Sequence, residues 1–449
     1  MPSRTEKTTA LRVAVLADSD TRWKWGALTA RRLTTGDGGA PAPRTEISGL
    51  LLRGRATPTP RQLAEVGDVG IDAGRVREVT AVEFLHTVRD EGYDLVVLAL
   101  VGGAVQAVLH GLAALDLPAR PVVVTGYVGV VYEKLADGLL LRHGADVVLA
   151  NSRHDADRFR AVYEGVGADA SAVTEAALPF LGGAPHRPEP GRDTVVFAAQ
   201  PSVPATREDR AYLLRRLVEH ARLHPGREVL LKLRSKPGEH TTHIEELPYQ
   251  KLAERIPGGL PPNLRLVYGH MGEVLDRTDL LVTVSSTAAL EALHRGIPTA
   301  VLTDLGVREV LGNHHFTGSG LLASWDQLDG GAHPEPDAEW LAGQGVAADG
   351  SYATAYDTAR ARVTALLERD RLPALAPYYT PATAPGYLPG ILARHHLGPD
   401  GRPLPGAAAR GDTGRVRGAV RDAVREAARG AYRHGVQRVA PVIRRMGEL

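Results

Sequence analysis

Leu280-Leu-Val-Thr-Val-Ser-Ser-Thr-Ala-Ala-Leu-Glu-Ala-Leu-His-Arg-Gly-Ile-Pro298 is the stretch that decides the fold. Leu280 to Val284 reads as a buried strand and Ala288 to Arg295 as a helix. Gly296 ends the helix and Pro298 leads into a further apolar run, Thr299 to Leu302. Strand, helix and strand in immediate succession make a βαβ unit, and hence a parallel sheet. Between the first strand and the helix stand Ser285, Ser286 and Thr287. Three hydroxyls beside the free N–H groups of a helix start suit an anion, and the helix dipole adds to the attraction. Glu291, on the first turns, is placed to accept hydrogen bonds from ribose hydroxyls. The same residues also describe an ordinary helix cap with a solvated glutamate, and the pattern alone leaves both readings open.

Apolar strands alternating with helices extend on both sides of this unit. Downstream of a charged start come strand candidates at Leu11–Ala17, Glu46–Leu52, Val76–Thr80, Tyr93–Leu100, Pro121–Thr125 and Val147–Ala150. The expected helices between them are Trp23–Leu33, Ala81–Glu91, Ala104–Leu115 and Ser152–Tyr163. The Pro/Gly-rich stretch 182–192 then reads as an interdomain linker. The alternation restarts with strands at Thr194–Ala199, Glu228–Leu233 and Leu264–Tyr268, and helices at Arg207–Leu223 and Gly272–Arg277. The expected architecture is α/β, with two doubly wound Rossmann-like domains facing a ligand cleft at the carboxyl ends of their strands. The expected domains are 1–185 and 186–345, then a return helix and wrapping loop over 346–409 and a basic helical tail over 410–449.

Composition narrows the chemistry. The 449 residues contain no cysteine, which excludes a disulfide framework, a Cys-ligated metal and a thiol nucleophile. With 53 Lys and Arg against 52 Asp and Glu, the net charge is +1, and no global sign of nucleic-acid binding appears. The longest apolar run, Leu95 to Leu109, is shorter than the roughly 20 residues of a membrane-spanning helix. The expectation is a cytosolic protein. Only six basic residues are Lys, and two of them, Lys232 and Lys236, flank Arg234 where a strand runs out into a loop. Period-two spacing would point all three to one face, a cluster able to neutralise phosphates, unless it is simply an exposed strand end. His240 and His243 add donors nearby; no metal site is expected from them. From Arg410 onward ten Arg face four acids, and Arg417, Arg421, Arg425, Arg429 and Arg433 recur every four residues. Such a basic helix suits an anionic membrane surface or, through its Val/Ala stripe, the protein itself.

The Ser-Ser-Thr-Ala-Ala-Leu-Glu-Ala run with its Gly-Ile-Pro sequel resembles the nucleotide-binding half of GT-B glycosyltransferases. It is most similar to the bacterial enzymes that build capsules, polysialic acid and Kdo-containing glycans, and to the CDP-glycerol glycerophosphotransferases. Over the whole chain it also looks like actinobacterial glycosyltransferases. The motif resemblance spans about residues 190–330. It implies a nucleotide-sugar donor, CMP-activated in the first instance with UDP and GDP as alternatives. It places Ser285 and Ser286 on phosphate and Glu291 on ribose or near the base. The branch's His-Pro motif is replaced here by Arg234-Ser-Lys-Pro-Gly, with His240 or His243 as substitutes. The first half would then hold a glycan or lipid-linked acceptor. Asp18, Asp20 and Glu133 follow strands there and are the candidate bases of an inverting transfer. Trp23, Gly126, Tyr127 and Gly129 are the candidate acceptor contacts, against a plain reading of Trp23 as core. No cofactor is expected and no metal. The alternatives are a glycerophosphotransferase, a nucleotide-sugar 2-epimerase on the same fold, and a non-catalytic binding scaffold.

Overall fold

The computed structural model describes residues 10–35, 44–54, 56–66, 69–129, 134–234, Lys236, 248–346 and 351–406. The chain divides into two compact units. The first is built from described residues within Met1–Val128, Lys134–Phe180 and Ser351–Gly411, and the second chiefly from those within Leu181–Gly350.

The first unit holds seven strands: β1 Leu11–Ala17, β2 Thr45–Leu52, β3 Arg77–Val79, β4 Leu95–Ala99, β5 Val122–Gly126, β6 Val147–Ala150 and β7 Val173–Glu175. All pair in parallel in the order β3-β2-β1-β4-β5-β6-β7. The central strands are almost wholly apolar because helices cover both faces of the sheet. Helix Asp20–Thr34 follows β1 with Ser19 as its N-cap. It lays Trp23, Trp25, Ala27 and Ala30 into a core with Val13, Val15, Val97 and Val124. Gly26 is required here, since a Cβ would come within 2.8 Å of Ala99 Cβ and 2.9 Å of Val15 Cγ1. Tyr356, Ala359, Val363 and Leu366, on or beside helix Asp357–Leu367, complete the same core.

The second unit holds six more: β8 Thr194–Ala198, β9 Glu228–Lys232, β10 Leu264–Val267, β11 Leu280–Thr283, β12 Thr299–Leu302 and β13 Leu322–Ala323. They too are all parallel, ordered β10-β9-β8-β11-β12-β13. Each order reverses direction once, between β1 and β4 and between β8 and β11. In open parallel sheets such a switch point leaves a crevice at the carboxyl ends of the strands.

The Pro/Gly stretch 182–192 is not a free tether. His186 N–H donates to the Arg295 carbonyl at 2.7 Å. Arg192 donates to Asp279 through Nε and Nη2 at 3.0–3.1 Å. The His186 ring lies 3.1 Å from the same carboxylate, and Thr194 N–H donates to it at 2.9 Å. Burial pushes the Asp279 carboxyl up, but these hydrogen bonds outweigh it and hold it below its ordinary value. A carboxylate depressed in the folded state contributes stability that is complete above its unfolded value near pH 4 and is lost as the pH falls through the folded one. Asp279→Asn is therefore expected to cost about 2 kcal/mol at neutral pH and to flatten the acid limb of stability, measured by urea denaturation from pH 7 downward.

Trp23→Ala is expected to cost about 3–5 kcal/mol in the same assay, the value of a large buried aromatic. A loss under 1 kcal/mol would mean that Trp23 is available to a ligand.

Candidate functional site

At the switch point of the second unit the chain leaves β11 as a hydroxyl-rich turn. Thr283 Oγ1 donates to the Ala198 carbonyl at 2.9 Å and accepts from Ser286 N–H at 3.1 Å. These two bonds lock the end of β11 to the end of β8 and fold the chain back. Ser285 is 3% exposed, and its hydroxyl donates to the Leu311 carbonyl at 2.6 Å. Gln200, two residues past β8, accepts from Ser285 N–H at 3.0 Å and donates to the Ser285 hydroxyl at 3.1 Å. The Ser285 side chain thus faces the protein, which corrects its expected place on phosphate: its hydroxyl is used in joining loops.

Ser286 and Thr287 are the partly exposed members of the turn. Ser286 Oγ accepts from Ala288 N–H at 3.2 Å, which leaves its own O–H to donate. Thr287 occupies the cap position of helix Ala288–His294, but its side chain makes no capping bond. Among the described residues neither its N–H nor its hydroxyl has an intramolecular acceptor. Two hydroxyls and one N–H at the carboxyl end of β11 are therefore donors with no acceptor among the described residues. Glu291, one turn into the helix, is 8% exposed.

The cation cluster takes another form than its spacing predicts. β9 ends at Lys232, so period two does not carry on to Arg234 and Lys236. Lys232 is buried at the strand end, where its ammonium donates to the Leu233 carbonyl at 2.8 Å. Arg234 is half-buried in irregular chain and Lys236 is exposed, its ammonium 5.8 Å from the centre of the Tyr268 ring. His240 and His243 lie outside the described residues, as do Glu133 and the tail from residue 407.

In the first unit, Asp18 stands at the carboxyl end of β1 with both oxygens engaged. Oδ2 accepts from Val101 N–H at 2.8 Å and Oδ1 from Arg22 at 2.9 Å. Asp20 opens the following helix and accepts from Thr21 N–H at 2.7 Å. Trp23 is 1% exposed, so the expectation that it stacks on a sugar is corrected: its ring is core. Gly126 is likewise a packing residue, since a Cβ there would meet Trp25 Cζ2 at 2.8 Å and the Leu149 carbonyl at 3.0 Å. Tyr127 turns inward, beneath the Arg142 guanidinium at 3.9 Å and beside Phe159 at 5.6 Å. Burial raises its phenol pKa. Gly129 falls to the second unit.

Arg142 is absent from the sequence reading and organises this strand end. It donates to the carbonyls of Gly126 at 3.0 Å, Gly138 at 2.7 Å and Leu100 at 3.2 Å. Burial pushes its pKa below the ordinary guanidinium value. No local motif announces it, because its partners are backbone carbonyls from three separate segments.

Among the described residues, one group has metal-ligating atoms close together: His220, His224 and Asp329, within 4.8 Å of one another. It is already closed by arginines. Arg216 donates to Asp329 at 3.1 Å, Arg227 lies 3.1 Å from His220 Nε2, and His220 Nδ1 lies 2.6 Å from Asp329. Two guanidinium charges on these atoms oppose a cation, and burial holds the His220 pKa down.

No curated protein sequence matches this chain. Solved structures share its fold. The UDP-GlcNAc 2-epimerase of Neisseria meningitidis bound to UDP-GlcNAc aligns with a TM-score of 0.51 at 10% identity, over 80% of this chain and all of that one. The MnaA–UDP complex of S. aureus aligns with a TM-score of 0.50 at 13% identity, over 82% of this chain and all of that one. The glycosyltransferase SnogD from Streptomyces nogalater gives 0.45 at 18% identity, over 80% of this chain and all of that one. The two parallel sheets with interleaved helices are those of the GT-B fold. A family model spans residues 13–366, through both sheets, and the chain belongs to that family, described as "Putative glycosyltransferase (DUF6716)".

Proposed function

We propose that this protein transfers a sugar from a nucleoside diphosphate sugar to a hydroxyl of a glycan or lipid-linked acceptor. The observation that carries this reading is the set of donors on Ser286 and Thr287, without acceptors among the described residues, at the switch point of the second sheet. Donors grouped on one turn suit the oxygens of a diphosphate. Lys232 ends the neighbouring region of the sheet and supplies positive charge, and Glu291 is the group for the ribose hydroxyls.

In the transfer, the acceptor oxygen forms a bond to the anomeric carbon as the bond from that carbon to the diphosphate breaks. The electron pair leaves on the diphosphate, where Lys232, Ser286 and Thr287 stabilise the growing charge; this is electrostatic catalysis that calls for no metal or cofactor. A base takes the acceptor proton, and Asp18, Asp20 and Glu133 are the candidates from the first half of the chain. Asp18 would have to give up a bond to Arg22 or Val101 to serve. The likeness to folds that hold UDP and UDP-GlcNAc favours a uridine nucleotide over the cytidine first expected. The basic segment 410–449 is the proposed contact with an anionic membrane surface if the acceptor is lipid-linked.

A thermal-shift panel of UDP, GDP, CDP and CMP tests the site, with UDP expected to raise the melting temperature most. Ser286→Ala and Lys232→Met are each expected to weaken the responding nucleotide about tenfold in calorimetric titration. Unchanged affinity in both would remove the phosphate assignment. Incubation with UDP-GlcNAc, followed by NMR, separates two reactions: a transferase releases UDP, whereas an epimerase returns a UDP-linked C2 epimer.

A further inference from the structure

The turn that carries Ser286 and Thr287 is held from two sides by side-chain amides, the half-buried Gln200 and the buried Asn313. Gln200 grips Ser285 with both ends of its carboxamide, Oε1 on the N–H at 3.0 Å and Nε2 on the hydroxyl at 3.1 Å. Gln200 is itself fixed from behind. Arg210, 2% exposed, donates to the carbonyls of Gln200 at 3.2 Å, Pro201 at 3.1 Å and Pro204 at 3.4 Å. Its guanidinium lies 4.3 Å from the centre of the Tyr249 ring. On the other side the Ser285 hydroxyl reaches Leu311, in the loop after β12. Asn313, fully buried, pins that loop by donating to Leu302 at 3.1 Å and Gly306 at 2.8 Å and accepting from Arg308 N–H at 2.9 Å. A carboxamide whose acceptor and donor ends are both used admits one orientation.

We propose that Gln200 is a positioning residue for the diphosphate. By fixing the Ser285 peptide and hydroxyl, it fixes the direction in which the next two residues, Ser286 and Thr287, present their donors. It acts through Ser285 and touches no ligand itself. The inference rests on the nucleotide reading above.

The test uses the full chain with Gln200→Met, which keeps the length and loses both hydrogen bonds, and Gln200→Glu, which keeps the acceptor and adds a negative charge beside the phosphate contacts. UDP affinity is measured by calorimetric titration at low and high salt, alongside the melting temperature. Gln200→Met is expected to weaken UDP about tenfold. Gln200→Glu is expected to weaken it further at low salt, with part of that loss recovered at high salt as the charge is screened. A residue important only to the fold would lower the melting temperature without the salt-dependent split. If Gln200→Met does not fold, Gln200→Glu carries the test, and an affinity within twofold of wild type at both salts overturns the proposal. Ser286→Ala separates the two failures. If it weakens UDP and neither Gln200 variant does, only the positioning role falls. If the wild-type protein binds no nucleotide of the panel, the nucleotide reading falls and this inference with it.

Discussion

A single hydroxyl, that of Ser285, ties together three strand ends of the second unit. Parallel strands finish with backbone groups that have no ladder partner, and each following loop must be held by something else. Here Ser285 takes the carboxamide of Gln200 from the β8 loop and gives its proton to Leu311 from the β12 loop, while Thr283 bonds the β8 end directly. With the loops so fixed, the neighbouring residues are the ones left to meet a ligand. The division of labour between two adjacent serines is a matter of which way each faces, inward at 285 and outward at 286.

The first unit solves the same problem with a cation. Arg142 gathers carbonyls from the ends of β4, β5 and the helix Leu135–Leu140. Its charge is met by these dipoles and by the Tyr127 ring. Desolvating a guanidinium is costly, and several hydrogen bonds must offset that cost. The strand-end loops of the two units are thus held by different chemistry: hydroxyl and amide in one, guanidinium and carbonyl in the other.

Much of the architecture was legible in the sequence because buried parallel strands are continuous apolar runs. β1, β4, β5, β8 and β11 announce themselves in this way. β7 and β13 do not, being three and two residues long and set on sheet edges. Short helices such as Pro60–Glu65, Tyr249–Ala253 and Leu388–Arg394 carry too few turns to show a period. At the site, the hydroxyl turn and Lys232 were found from spacing, but spacing could not say that Ser285 faces inward or that β9 stops at Lys232. Trp23 and Tyr127 follow strands, as ligand contacts often do, yet their rings fill the interior. Gln200, Arg210, Arg142 and Asn313 left no local signal, since each acts through groups brought close only by the completed fold.

The first core is assembled from two distant parts of the chain, with Tyr356, Ala359, Val363 and Leu366 packed among residues that precede position 180. A ribosome delivers those pieces about 170 residues apart. The second unit therefore has all its strands available for folding while the first still lacks part of its interior. In the growing polypeptide the core begun earlier is the one completed later, and part of the apolar surface of the first sheet must wait for residues 351–406 to arrive.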